Sequence, residues 1–128
     1  MNVADTSYLA EAILRNAELL EDETLVAPDL TLYETLNVIW KHEALIRDIR
    51  DAARYINALE TLIQTQRITL VNPDSRLIRD AYSLSIRHRT PFYDTVFVAL
   101  ALRLQTELKT LDNKQMSIYS EEKQQQAL

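Results

Sequence analysis

Asp94 stands at the mouth of a stretch, Thr90 to Leu104, that is apolar on nearly every side from Val96 to Leu102. A helix apolar all round is a buried helix. Thr90 is placed to act as N-cap and Pro91 as the first helical residue, so Asp94 falls in or just after the first turn. There the helix dipole favours a negative charge. An acid at the open end of a buried helix is a poor way to build a core and a good way to build a site. Three more acids occupy unusual places. Asp5 closes a short apolar start, Glu34 interrupts the apolar side of a helical pattern, and Asp112 follows the strand-like Leu108-Lys-Thr110. Two unit charges ~4 Å apart repel by ~4 kcal/mol at an effective dielectric of ~20. Four gathered acids are therefore unstable unless some hold protons or a cation joins them. A hard dication with oxygen ligands relieves the repulsion, activates water and neutralises charge developing on a phosphodiester oxygen.

The composition narrows the cation. With no cysteine and only His42 and His88, the chain has neither disulfides nor thiolate sites, and zinc is disfavoured. A metal here is bound by oxygen, which points to Mg²⁺ or Mn²⁺. The 128 residues suit one domain. No apolar run approaches the ~18 residues of a membrane span and no leader pattern opens the chain, so a cytoplasmic protein is expected. The net charge of −5 argues against a nucleic-acid partner only until its distribution is considered. With four of the 19 acids set in one site, the remaining 15 face 14 bases, and a local basic strip remains open. There is no glycine, so turns are expected to rest on Asn, Asp, Pro and Thr.

The elements that position these acids follow from periodicity. Met1 to Asp5 reads as a strand followed by the capping residues Thr6 and Ser7, and Tyr8 to Leu20 as a helix. Thr24 to Ala27 is a second strand, and Asp29 to His42 a helix with Leu32, Tyr33, Leu36, Ile39 and Trp40 on its apolar side. Asn37 and Lys41 share the face of Glu34. Ile49 to Ile63 reads as another helix, Arg67 to Val71 as a third strand, and Pro73-Asp74 as the start of a helix reaching about Ile86. Leu108 to Thr110 is the fourth strand. Strands alternating with helices imply a parallel sheet covered on both faces, with ligands beyond the carboxyl ends of its strands. Asp5, Asp94 and Asp112 then face one edge of the sheet. Residues 120–128 read as a polar, frayed tail.

Asp5-Thr-Ser, Glu34 within Leu32-Tyr-Glu-Thr-Leu-Asn-Val-Ile-Trp40, Asp94 within Tyr93-Asp-Thr-Val-Phe-Val-Ala-Leu-Ala101, and Thr110-Leu-Asp112 together resemble the PIN domain. The likeness is to its compact prokaryotic toxin-type members of the VapC kind, and it covers roughly residues 2 to 118. It implies a three-layer α/β/α sandwich, with a central, mainly parallel sheet of four or five strands, over residues 1–119. It implies a Mg²⁺- or Mn²⁺-dependent ribonuclease, a homodimer, and a cognate antitoxin as partner. Asp5, Asp94 and Asp112 would bind the ion directly or through water, and Glu34 would complete the site or orient water. Thr6 and Thr110 would be supporting donors, with Asn37 beside Glu34. Two features depart from the pattern. Gln105-Thr-Glu107 stands where the family usually has a glycine turn, and Ser117-Ile-Tyr119 is the one candidate for a fifth strand.

Each acid also has a plainer reading: Asp5 as a helix cap, Asp94 as a dipole partner, Asp112 as a turn residue, and Glu34 paired with Lys41. Arg47, Arg50 and Arg54 are spaced as one basic helical stripe, and Arg87-His88-Arg89 precedes Thr90. Arg50, Arg54, Arg87 and Arg89 are thus candidates for positioning an RNA backbone. A phosphoacceptor receiver domain wants adjacent acids after the first strand and an acid ending the third. Asp5-Thr-Ser and Val71-Asn-Pro fail both tests. The alternatives left are an RNA-processing nuclease without an antitoxin and a catalytically silent binding scaffold.

Overall fold

A computed structural model describes residues 1–128. Four parallel strands, β1 (Asn2–Ala4), β2 (Leu25–Pro28), β3 (Ile68–Val71) and β4 (Leu108–Lys109), form one sheet in the order β3-β2-β1-β4. Alternation along each strand sends successive side chains to opposite faces. Val3, Val26 and Leu108 pack on one face with α4 (Ser75–His88), α5 (Phe92–Leu104) and α6 (Asn113–Ala127). Ala4, Leu25 and Ile68 pack on the other with α1 (Thr6–Leu14) and α3 (Ala53–Gln64). Partly buried Leu32 and Leu36 bring α2 (Leu30–Lys41) to that same layer. The result is the three-layer α/β/α sandwich. The chain moves outward from β1 to β2 and β3, then returns across β1 to β4. That reversal opens a crevice at the carboxyl ends of β1 and β4.

α5 is the axis of the larger core. Thr95 to Ala101 are all buried, and the Thr95 hydroxyl donates to the Ala81 carbonyl of α4 at 2.9 Å. Its start differs from expectation by one residue. Pro91 has the extended ψ of 145° and is itself the N-cap, while the Thr90 hydroxyl donates to the His88 carbonyl instead. Asp94 is then the third helical residue, still inside the first turn.

The C-terminal end departs furthest from the sequence expectation. Ser117-Ile-Tyr119 forms no fifth strand, and residues 120–127 are no frayed tail: all lie in α6. Asp112 caps the helix through Lys114 and Gln115 N–H, and Ile118 and Tyr119 bury themselves in the core. The Tyr119 hydroxyl donates to the Thr106 carbonyl at 2.6 Å. Glu122 is gripped by Arg87 at 2.5 Å and by His88 at 2.9 Å. Those tertiary contacts stabilise a helix that its own polar sequence does not announce.

The other helix boundaries shift for local reasons. The first helix stops at Leu14, with Ala17–Leu20 a separate 3₁₀ turn. α2 runs into a π-turn over His42–Ile46 that ends on left-handed Arg47, so the next helix starts at Ala53 and not Ile49. Without glycine, the left-handed positions fall on Asp22, Arg47, Gln66, Arg89 and Gln105. Only Asp22 belongs to the turn formers expected. Gln105, at φ 56° and ψ 43°, terminates α5 where a glycine would otherwise stand.

Candidate active site

Asp5 sits directly after β1 with 1% of its surface exposed. It is fixed by short-range chemistry from both sides. Its Oδ1 accepts from Tyr8 N–H at 3.0 Å, as the N-cap of α1, and from the Ser7 hydroxyl at 2.7 Å. Its Oδ2 accepts from the Thr110 hydroxyl at 2.5 Å. Thr110 itself lies just beyond β4, and its Oγ1 receives Asp112 N–H at 2.9 Å. Ser7 closes the ring, since its hydroxyl oxygen accepts Leu111 N–H at 3.0 Å. The ends of β1 and of the edge strand β4 are thereby stitched around one carboxylate.

Glu34 comes from the second turn of α2, and its Oε1 accepts from the Thr6 hydroxyl at 2.7 Å. No ion pair joins it to Lys41. Asp94 enters from the first turn of α5, and its Oδ1 lies 3.4 Å from the Gln115 side-chain amide. Asp112 has Oδ1 engaged as the cap of α6. One oxygen of each of these three, Glu34 Oε2, Asp94 Oδ2 and Asp112 Oδ2, has no hydrogen-bond partner.

The electrostatics tie the four together. Burial pushes the Glu34 carboxyl above its usual range; the Thr6 bond pulls it back, and the charges of Asp94 and Asp5 push it further up. Asp94 is likewise raised, chiefly by burial and then by Asp112, against the Gln115 bond, with Asp5 adding to the rise and Lys114 opposing it. No Lys or Arg forms an ion pair with any of the four. Glu34 and Asp94, raised by burial and then by neighbouring carboxylates, keep free oxygens and no ion-paired base, and with Asp112 they have the donor chemistry of a site for a hard divalent cation. They do not yet close on a point: no three acidic or histidine side chains are grouped tightly enough to hold an ion as they stand.

The remaining candidates fall elsewhere. Asn37 is exposed and makes no hydrogen bond to Glu34. Arg47, Arg50 and Arg54 do not form one stripe, because the left-handed turn at Arg47 and the loop before α3 break the helical spacing. Arg54 stacks over Tyr55, with its guanidinium 5.1 Å from the ring centre. Arg87 turns to Glu122, about 15 Å along α6 from its capped end. Arg89 is exposed and left-handed at the end of α4, the one member of the set beside the start of α5 that forms no ion pair. Two residues at the site escaped the sequence reading. Ser7 was expected only as a cap; Asp-x-Ser spacing after a strand is the signal for it. Gln115 was hidden because its helix was not foreseen.

Among protein families, the PIN domain matches residues 3–120. Ribonuclease VapC3 of Pyrobaculum aerophilum is similar, 35% identical over 88 residues that cover 67% of this chain. The chain spans 64% of that relative's own length. With the parallel sheet and its reversal at β1, the match over nearly the whole chain has one meaning: this chain belongs to the PIN domain family.

Proposed function

We propose that the chain is a Mg²⁺- or Mn²⁺-dependent endoribonuclease that hydrolyses RNA phosphodiester bonds in the cytoplasm, as the toxin of a toxin–antitoxin pair. The observation that carries it is the set of carboxylate oxygens without a hydrogen-bond partner, one each on Glu34, Asp94 and Asp112, gathered beside the buried Asp5. The similar ribonuclease and the family membership support the substrate class. Glu34 Oε2, Asp94 Oδ2 and Asp112 Oδ2 are the oxygens available to hold the ion, with Asp5 behind them. When bound, the ion supplies charge neutralisation at the phosphate and a more acidic water.

The chain's own residues do the positioning. Asp5, buried and held by three donors, is the rigid anchor of the group. Thr6 fixes one Glu34 oxygen so that Oε2 is left to orient or deprotonate an attacking water. The dipole of α5 steadies the Asp94 charge that its neighbours oppose. Arg89 is the basic residue left to meet an RNA backbone near the mouth. The partner surface of a homodimer, in this reading, includes the exposed Tyr33, Trp40, Leu45 and Ile46 on α2 and its π-turn.

One observation favours a second reading, a silent binding scaffold: no three acids converge as they stand. Incubation of purified protein with single-stranded RNA separates the two. Cleavage in Mn²⁺ or Mg²⁺ that EDTA stops supports the nuclease; intact RNA under all conditions supports the scaffold.

A further inference from the structure

Gln115 is 96% buried by its 4% exposure, and it is the residue of α6 that touches two of the acids. Its backbone N–H donates to Asp112 Oδ1 at 3.2 Å, and its side-chain Nε2 to Asp94 Oδ1 at 3.4 Å. The acceptor at Asp94 fixes which way the amide faces, since a carboxylate oxygen takes the NH₂ and not the carbonyl. Oε1 belongs to the same amide group. It is buried and has no hydrogen-bond partner. A buried acceptor without a donor is costly, and such atoms in native proteins call for an explanation.

The two other orphaned side-chain atoms, Thr31 Oγ1 and Thr35 Oγ1, lie one turn apart on the buried face of α2. Gln115 differs in where it stands: one polar end of its amide bonds an acid of the site, and the other end is unused. The cap at Asp112 places it with one polar end on each of two neighbouring acids and a third group left over.

We propose that Gln115 is a positioning residue of the site: its N–H holds Asp112, its amide NH₂ holds Asp94, and its Oε1 accepts a hydrogen bond from the water shell of a bound divalent cation. The assignment rests on the metal-dependent reading above. Gln115 leaves Asp94 Oδ2 and Asp112 Oδ2 unencumbered, because its side-chain NH₂ engages Asp94 Oδ1 and its backbone N–H engages Asp112 Oδ1. It also supplies what an all-carboxylate site lacks, a neutral acceptor that adds no repulsion. Outer partners of this kind orient ligands, and their removal costs ~10–100-fold in metal affinity or activity.

Calorimetric titration of the purified full chain with Mn²⁺ tests this without reference to catalysis. Gln115→Met keeps the length and removes both polar groups. It is expected to bind Mn²⁺ ~10–100-fold more weakly than the parent, with an unchanged circular dichroism spectrum and a metal-free melting temperature that does not fall. Ile118→Val, a buried change one turn further on, serves as the control for plain loss of packing: it lowers the melting temperature and leaves the affinity alone. Gln115→Asn draws both amide groups back by one methylene and is expected to weaken Mn²⁺ as well; it carries the test if the Met variant does not fold. A parent that binds Mn²⁺ and a Gln115 variant that binds it equally well overturn the role of Gln115 alone. A parent that binds no Mn²⁺ overturns it together with the metal-dependent reading.

Discussion

Asp94→Asn should stabilise the metal-free protein while removing most of what a metal ion can add. In the folded state, burial and the charges of Asp112 and Asp5 work against the Asp94 carboxylate. Two unit charges ~8 Å apart repel by ~2 kcal/mol at an effective dielectric of ~20, and solvent on the open side lowers that. The substitution also gives up a first-turn charge worth ~0.3–1 kcal/mol with the helix dipole. A net gain of about 1 kcal/mol, or roughly 3–4 °C in melting temperature, remains in EDTA. At ~100 times its dissociation constant, Mn²⁺ stabilises the parent by ~2.7 kcal/mol, roughly 10 °C. A ~100-fold weaker variant at the same concentration gains only ~0.4 kcal/mol, about 1–2 °C. The pH dependence carries the same sign. A raised carboxyl means the folded state binds more protons than the unfolded one between the ordinary and the raised value. Metal-free stability therefore falls as pH rises from the ordinary values of 3.8 for Asp94 and 4.5 for Glu34 through their raised ones. The variant, left with Glu34 alone, should fall less steeply. Thermal melts in EDTA and in Mn²⁺ read all of this. A variant that melts lower in EDTA and gains as much from Mn²⁺ makes Asp94 a structural first-turn acid and no ligand.

Two other outcomes follow. Gln105→Gly should melt higher, because a left-handed non-glycine costs ~1–2 kcal/mol and the added freedom of the unfolded chain returns only ~0.4–1; a lower melting temperature refutes the strain at the end of α5, and Gln105→Ala serves as the control without gain. Light scattering at micromolar concentration should give the mass of a dimer, and Trp40→Glu, on the exposed face of α2, should return a monomer; a monomeric parent removes the interface.

The sheet was legible because β1 and β2 are short apolar runs closed by Asp5 and Pro28, because β3 runs into Asn72-Pro73, and because α5 is apolar all round. Asp5, Glu34, Asp94 and Asp112 stood out by interrupting such patterns, and the parallel order then carries three of them to one edge. The losses have physical causes. Ile49 keeps the apolar spacing of α3, yet the left-handed turn at Arg47, invisible to periodicity, delays the helix to Ala53. A basic stripe inferred from that spacing dissolved with it. α6 has mostly polar residues and is held by Ile118, Tyr119 and the grip of Arg87 and His88 on Glu122, which are tertiary facts. Ser117-Ile-Tyr119 offered only a strand-like triplet in their place. Missing that helix also concealed Gln115.

The most direct measurement is the rate of single-stranded RNA cleavage by the parent and by Asp94→Asn, side by side in Mn²⁺, with circular dichroism spectra of both. The parent should cleave and be silenced by EDTA, and the variant should be inactive with its fold intact. Cleavage by Asp94→Asn at the parent's rate would contradict the assignment of this site to the chemistry.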